Sequence, residues 1–143
     1  MRMIAKALVF SFGLAHNLSV LAAETEFQVV VNQANEMTTI DHKFLADIFF
    51  KRATRWPNSA KISPVDLDAN SRVRAEFSDE ILNRPVSAVR VYWQQLIFSG
   101  RDIPPPELRN DKEVIDFVSS REDAIGYVSI HADVHRIKVV QVR

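Results

Sequence analysis

The run Phe27-Gln28-Val29-Val30-Val31-Asn32 constrains the fold of this chain more than any other segment. A strand with one wet face alternates apolar and polar residues. A β-branched run that lacks this alternation belongs in a parallel or mixed sheet covered on both faces. Amphipathic segments that could supply the covering layers follow directly. Asp41 is placed to cap a helix carrying Phe44, Leu45, Ile48 and Phe49 on one face, with Ile40 and Leu45 at the spacing of a hydrophobic staple. Asn70 or Ser71 caps a second helix in which Val73, Phe77 and Ile81 recur every four residues. A third follows Pro85, with Val86, Val89, Trp93, Leu96 and Ile97 facing inward and Gly100 just beyond its end. Asn110 and Glu113 imitate a capping box for a fourth, which buries Val114, Phe117 and Val118.

Between these helices lie further strands. Lys61 to Val65 reads as a short one, and Pro64, which cannot donate to a ladder, places it at an edge. Ala124 to Val128 and Ile137 to Val142 finish the chain, and Pro104-Pro105-Pro106 forms a stiff extended connector. Strands separated by helices imply an α/β sheet with crossover connections. Tyr92, Trp93 and Phe98 read as core aromatics, and Trp56 as packing the first helix against the sheet or, as the alternative, as lining a cleft.

The N-terminus carries a different pattern. Arg2 and Lys6 precede the apolar run Ala7 to Ala15, and the small residues Ala22 and Ala23 stand before the first acid, Glu24. That order is the pattern of a cleaved secretory signal peptide over residues 1–23, with a single domain at 24–143. The run falls well short of the ~20 apolar residues that cross a bilayer. Cleavage after Ala23 removes two basic residues from a chain with 18 basic and 18 acidic side chains, leaving 120 residues with a net charge of −2. Such a balance argues against nucleic-acid binding, which needs clustered positive charge, but not against a local anion site. The chain has no cysteine, so an exported domain of this kind relies on burial for stability and has no thiol chemistry.

Motifs for chemistry are sparse. Asp66, Asp68 and Asn70 are spaced like the opening of a calcium loop, but Ser71 stands at the glycine position and Phe77 at that of the bidentate glutamate. His131 and His135 lie in a short connector with only Asp133 nearby, too few ligands for zinc. Neither a nucleophile motif nor a nucleotide-binding glycine pattern is present, and the expectation is of no catalytic residue, no metal and no cofactor. The segment Asp68 to Arg74 is more informative because it joins a strand to a helix, whose first turn offers unpaired amides and a positive dipole end to an anion. Ser71 can add a hydroxyl, and Arg72 and Arg74 charge-assisted hydrogen bonds. An ordinary helix cap followed by surface arginines accounts for the same residues.

The stretch Leu45-Ala46-Asp47-Ile48-Phe49-Phe50-Lys51-Arg52-Ala53-Thr54-Arg55-Trp56-Pro57, read with Ala124-Ile125-Gly126-Tyr127-Val128, resembles the periplasmic substrate-binding proteins of phosphate ABC transporters. The resemblance runs over nearly all of the chain beyond residue 23. It implies an α/β fold of the reduced type 2 periplasmic-binding-protein-like kind, a mixed sheet flanked by helices. In that family a strand, here Ile62 to Val65, leads into an anion-binding loop, here Asp68 to Ser71, that opens a helix. Asp68 matches the loop aspartate that accepts a hydrogen bond from a protonated phosphate oxygen, and Ser71 matches a loop serine or glycine that presents hydroxyl and amide donors.

The departures are specific. Asp66 stands where the family usually has an arginine, Asp123 stands where its Gly-Ala-Ile-Gly-Tyr-Val segment begins, and the loop glycines and threonine are replaced between Ala69 and Val73. The chain is also shorter than a full binding protein, whose N-terminal part carries another phosphate-contacting loop. The expectation is an exported, periplasmic domain that binds phosphate or a related small anion through Asp68, Asn70, Ser71, Arg72 and Arg74. Its partner would be the permease of an ABC transporter or another periplasmic protein, with neither nucleic acid nor a stable membrane anchor. The alternative is an accessory module that keeps the fold for protein interaction and binds no ligand.

Overall fold

The computed structural model describes residues 24–143, so the leader expected at 1–23 lies outside the described residues. In chain order the elements are β1 (Phe27–Val31), β2 (Thr39–Ile40), α1 (His42–Phe49), β3 (Ser63–Pro64), β4 (Asp66–Leu67), α2 (Arg72–Ile81), α3 (Val86–Phe98), β5 (Glu107–Leu108), α4 (Asp111–Ser120), β6 (Ala124–Ser129) and β7 (Lys138–Val142). Five strands form one mixed sheet in the order β2-β7-β1-β6-β3, and β4 pairs with β5 in a separate two-stranded sheet. The apolar run is the central strand. Val29, Val30 and Val31 are buried, and β1 pairs antiparallel with β6 on one side and β7 on the other. Outside these pairs the sheet is parallel, β2 with β7 and β3 with β6.

The local capping signals fold as their chemistry dictates. Asp41 accepts a hydrogen bond from the Phe44 amide at 3.0 Å, and Ile40 and Leu45 on either side of that cap are buried. Ser71, rather than Asn70, caps α2 by accepting from the Arg74 amide at 3.3 Å. Asn110 accepts from Glu113 N at 3.0 Å, while the Glu113 carboxylate reaches back one residue further than a strict capping box, to Arg109 N at 2.9 Å. Asn32, at the end of the apolar run, is buried and donates to the carbonyls of Val118 and Ser119, closing the C-terminal turn of α4.

Three expectations are corrected. The strand foreseen at Lys61 to Val65 shortens to Ser63–Pro64, with Pro64 on the sheet edge as expected, while Lys61 only bridges Arg55 across a tight loop. The connector Pro104 to Pro106 ends in a strand, β5, whose pairing with β4 carries no periodicity signal because each strand has two residues. The inner face of α3 is narrower than its pattern implied. Val89 and Trp93 are buried, but Ile97 is 51% exposed and Phe98 94% exposed. At 100° per residue Phe98 lies about 140° around the helix from Trp93, so it leaves the core with Val91 on the outer stripe.

Gly126 in the middle of β6 marks the tightest approach between sheet and helix. A Cβ there would stand 2.8 Å from Val114 Cγ1 of α4 and 3.0 Å from Val65 Cγ2. Only glycine lets these three segments close, and Tyr127 beside it stacks on Phe77 of α2 with centroids 3.8 Å apart. Gly126→Ala is therefore expected to lower stability by about 1–3 kcal/mol through overpacking, read as a lower urea midpoint. Combining it with Val114→Ala should be less than additive, because the second change frees the space the first fills.

Candidate functional site

The end of β4, the turn from Asp68 to Ser71 and the first turn of α2 form the candidate site. Each end of the turn is anchored. The Asp68 amide donates to the Leu108 carbonyl of β5 at 2.8 Å, and the Ser71 amide donates back to the Asp68 carbonyl at 2.9 Å. Asp68 Oδ1 accepts from the Asn70 amide at 2.8 Å, so the carboxylate braces its own turn. With Ser71 as the cap, the amides of Arg72 and Val73 have no intrahelical carbonyl to reach, which leaves the first turn of α2 as a donor surface.

The two arginines part company. Arg72 is exposed and donates to Glu26 Oε1 at 2.9 Å, with Glu76 Oε1 4.0 Å away on the next turn. Arg74 is turned inward and is only 2% exposed. Its Nη1 donates to the Leu67 carbonyl at 2.5 Å and lies 3.4 Å from Glu107 Oε1 of β5, while its Nε sits 3.2 Å from Asp66 Oδ1 without donating along that line. The structure therefore brings together Asp68, Asn70, Ser71 and Arg72 around the turn, and sets Arg74 behind it.

Behind the turn is a buried polar cluster that the motif reading left undescribed. Asp66 Oδ1 accepts the Tyr127 hydroxyl of β6 and the Leu67 amide, the latter at 3.1 Å, and faces Arg74. Burial pushes the Asp66 carboxyl up to about 6, against the opposing pull of the Arg74 guanidinium and of the two hydrogen bonds. Burial, reinforced by the Asp66 charge, raises the Tyr127 hydroxyl well above its ordinary value and keeps it a donor. The signal was present in outline. Asp66 interrupts an apolar stretch, and Arg74 lies one turn before Ser78 on the same side of α2, where Ser78 is fully buried. His131 and His135 lie on the loop before β7, where the His135 ring contacts Asp133 at 2.9 Å.

No protein-family model and no curated protein matches the chain. Solved structures do. An ABC-type phosphate transport receptor from Vibrio cholerae superposes with a TM-score of 0.63 at 20% identity, covering 82% of this chain and 46% of the receptor. PstS from Borrelia burgdorferi superposes with a TM-score of 0.64 at 17% identity, covering 82% of this chain and 47% of that protein. The chain thus has the α/β fold of phosphate-transport binding proteins and spans less than half the length of either.

Between about pH 4 and pH 6 the folded state, with its raised Asp66, holds more protons than the unfolded chain, so this group makes stability fall as pH rises through that window. The span from 3.8 to about 6 corresponds to about 3 kcal/mol. Asp66→Asn should remove that slope, seen as a difference between the pH–stability curves of the two proteins from pH 4 to 7. Asp66→Ala, which leaves the buried Arg74 guanidinium with only the part-exposed Glu107 carboxylate, should cost about 3 kcal/mol at neutral pH, the low end for a broken buried pair, and adding Arg74→Met should recover part of the loss.

Proposed function

We propose that the chain is an exported solute-binding domain that holds phosphate or a similar oxyanion at the first turn of α2. The observation that carries this reading is the passage from β4 through the Asp68–Ser71 turn into a capped helix, with the amides of Arg72 and Val73 open. An anion seated there meets two backbone donors and the positive end of the helix dipole. Ser71 adds its hydroxyl and Asn70 its amide group, while Arg72 swings from Glu26 to the ligand, exchanging one charge-assisted hydrogen bond for another. Asp68 accepts from a protonated ligand oxygen, which selects a hydrogen phosphate over a sulfate. Arg74 acts as a positioning residue, holding the Leu67 carbonyl and with it the direction in which β4 enters the turn.

The neighbouring structures that share the fold are a phosphate transport receptor and PstS, which supports this choice of ligand. The ABC-type receptor among those structures supports delivery to an ABC permease as the second part of the proposal. Removal of residues 1–23 would place the domain in the periplasm, and no described helix is long and apolar enough to cross a membrane.

A second reading has its own observation. The Asp68 and Arg72 side chains are engaged within the protein, and Val91 on the outer face of α3 with Ile97, Phe98 and Ile103 at and beyond its end expose apolar surface. An accessory module that keeps the fold for protein interaction would look like this.

Titration calorimetry separates the two readings. Orthophosphate should bind saturably and more tightly than sulfate, and Ser71→Ala and Arg72→Gln should each weaken it about tenfold, the cost of one hydrogen bond to a charged group. Absence of heat or thermal shift at about 10 mM phosphate, where even a ~1 mM site is mostly filled, would leave the interaction module. N-terminal sequencing of the protein recovered from an exporting host tests the leader, and the expected first residue is Glu24.

A further inference from the structure

A second cavity, of about 430 Å³, lies away from the α2 turn, where the end of α1, the edge strand β3 and the end of α4 converge. Its charged lining is uneven. Lys51, Lys61 and Arg121 face it against one carboxylate, Asp102. Lys51 approaches Asp102 at 3.8 Å, whereas Lys61 and Arg121 make no ion pair among the described residues. The remaining wall is largely apolar, with Ile48, Ile62, Pro64 and Phe117 contributing. The exposed Arg121 places its guanidinium 4.7 Å from the Phe117 ring centroid, so its cation lies beside the apolar wall.

Lys51 is the informative residue. It follows the C-cap of α1 with φ of 54°, a conformation in which glycine is the favoured residue and a lysine is strained. Strain of that kind persists where the side chain has a use, and here it sets an ammonium on the cavity. Lys51 and Arg121 also stand at helix C-termini, where a cation is favoured on its own account. Lys61 precedes β3 and belongs to no helix end, so the helix dipoles do not explain all three.

We propose that this cavity binds a small organic phosphate monoester, whose dianionic head neutralises the net charge of +2 on the lining while its carbon body covers Phe117 and the neighbouring apolar wall. The volume lies within the range of small-molecule sites. A phosphate monoester carries ≈ −1.5 to −2 at neutral pH, which matches the unpaired charge. An inorganic oxyanion would leave the apolar wall uncovered, so the site is distinct in chemistry as well as in place from the turn at Ser71.

The test uses phenyl phosphate, with phenol and orthophosphate as the separated halves of the probe, followed by NMR through the amides of Lys51, Lys61 and Arg121. Phenyl phosphate is expected to shift these amides saturably with a dissociation constant below about 1 mM. Lys61→Gln and Arg121→Gln should each weaken it about fivefold to tenfold by removing one charged partner, and Ser71→Ala should leave it unchanged. Lys51→Gly should weaken binding while raising the thermal midpoint, a split that a purely structural lysine would not give. No saturation by about 10 mM phenyl phosphate, unchanged binding in both charge variants, or equal binding of phenol or orthophosphate at these amides would each overturn the proposal. None of these outcomes depends on phosphate binding at α2.

Discussion

The meeting of Asp66 and Arg74, closed from the side of the sheet by the Tyr127 hydroxyl, is the interaction on which the arrangement of the rest depends. Four elements contribute to it: β4 through Asp66, α2 through Arg74, β6 through Tyr127 and β5 through Glu107. A buried pair of this kind adds little net stability, because desolvation of both charges consumes most of their attraction. What it provides is a unique alignment. If α2 rotated or slid, one charge would be stranded in the core, so the helix has a single register against the sheet. The aromatic packing of Phe27, Phe49 and Phe77 around Tyr127 supplies the burial that makes this constraint strict.

The same cluster decides what the α2 turn can offer a ligand. Because Arg74 is committed to Asp66, Leu67 and Glu107, the turn presents backbone amides, a hydroxyl and the mobile charge of Arg72, but no fixed cation. Asp66 at the end of β4 and Arg74 on α2 face each other as a buried pair of opposite charges, so neither adds net charge to the turn. Positive charge gathers instead beside β3, where Lys61 and Arg121 make no ion pair among the described residues.

What could be read from the sequence was what is decided over a few residues. Asp41, Ser71 and Asn110 each cap the helix they precede, and Pro64 marks an edge, because each effect involves atoms within a turn or a single strand. Periodicity supplied the sheet and its covering helices, and the resemblance carried by Leu45 to Pro57 and Ala124 to Val128 supplied the binding-protein-like type of the fold. Less legible was everything set by partners distant in sequence. The pairing of Asp66–Leu67 with Glu107–Leu108 joins segments about forty residues apart through strands too short for any period. Whether Arg72 or Arg74 turned inward depended on Glu26 and Asp66, and Phe98 read as core because aromatics usually are, whereas its stripe of α3 faces away from the sheet.

The central strand has a history as well as a position. β1 is made early, but its ladder partners arrive about a hundred residues later, Ser129 opposite Phe27 and Val140 opposite Val29. Until β6 and β7 have been made, the central strand has no ladder partner. Non-local pairing of this kind makes folding wait on chain closure. The central strand therefore spends the early part of folding unpaired, and the return of β6 and β7 decides when the sheet can form.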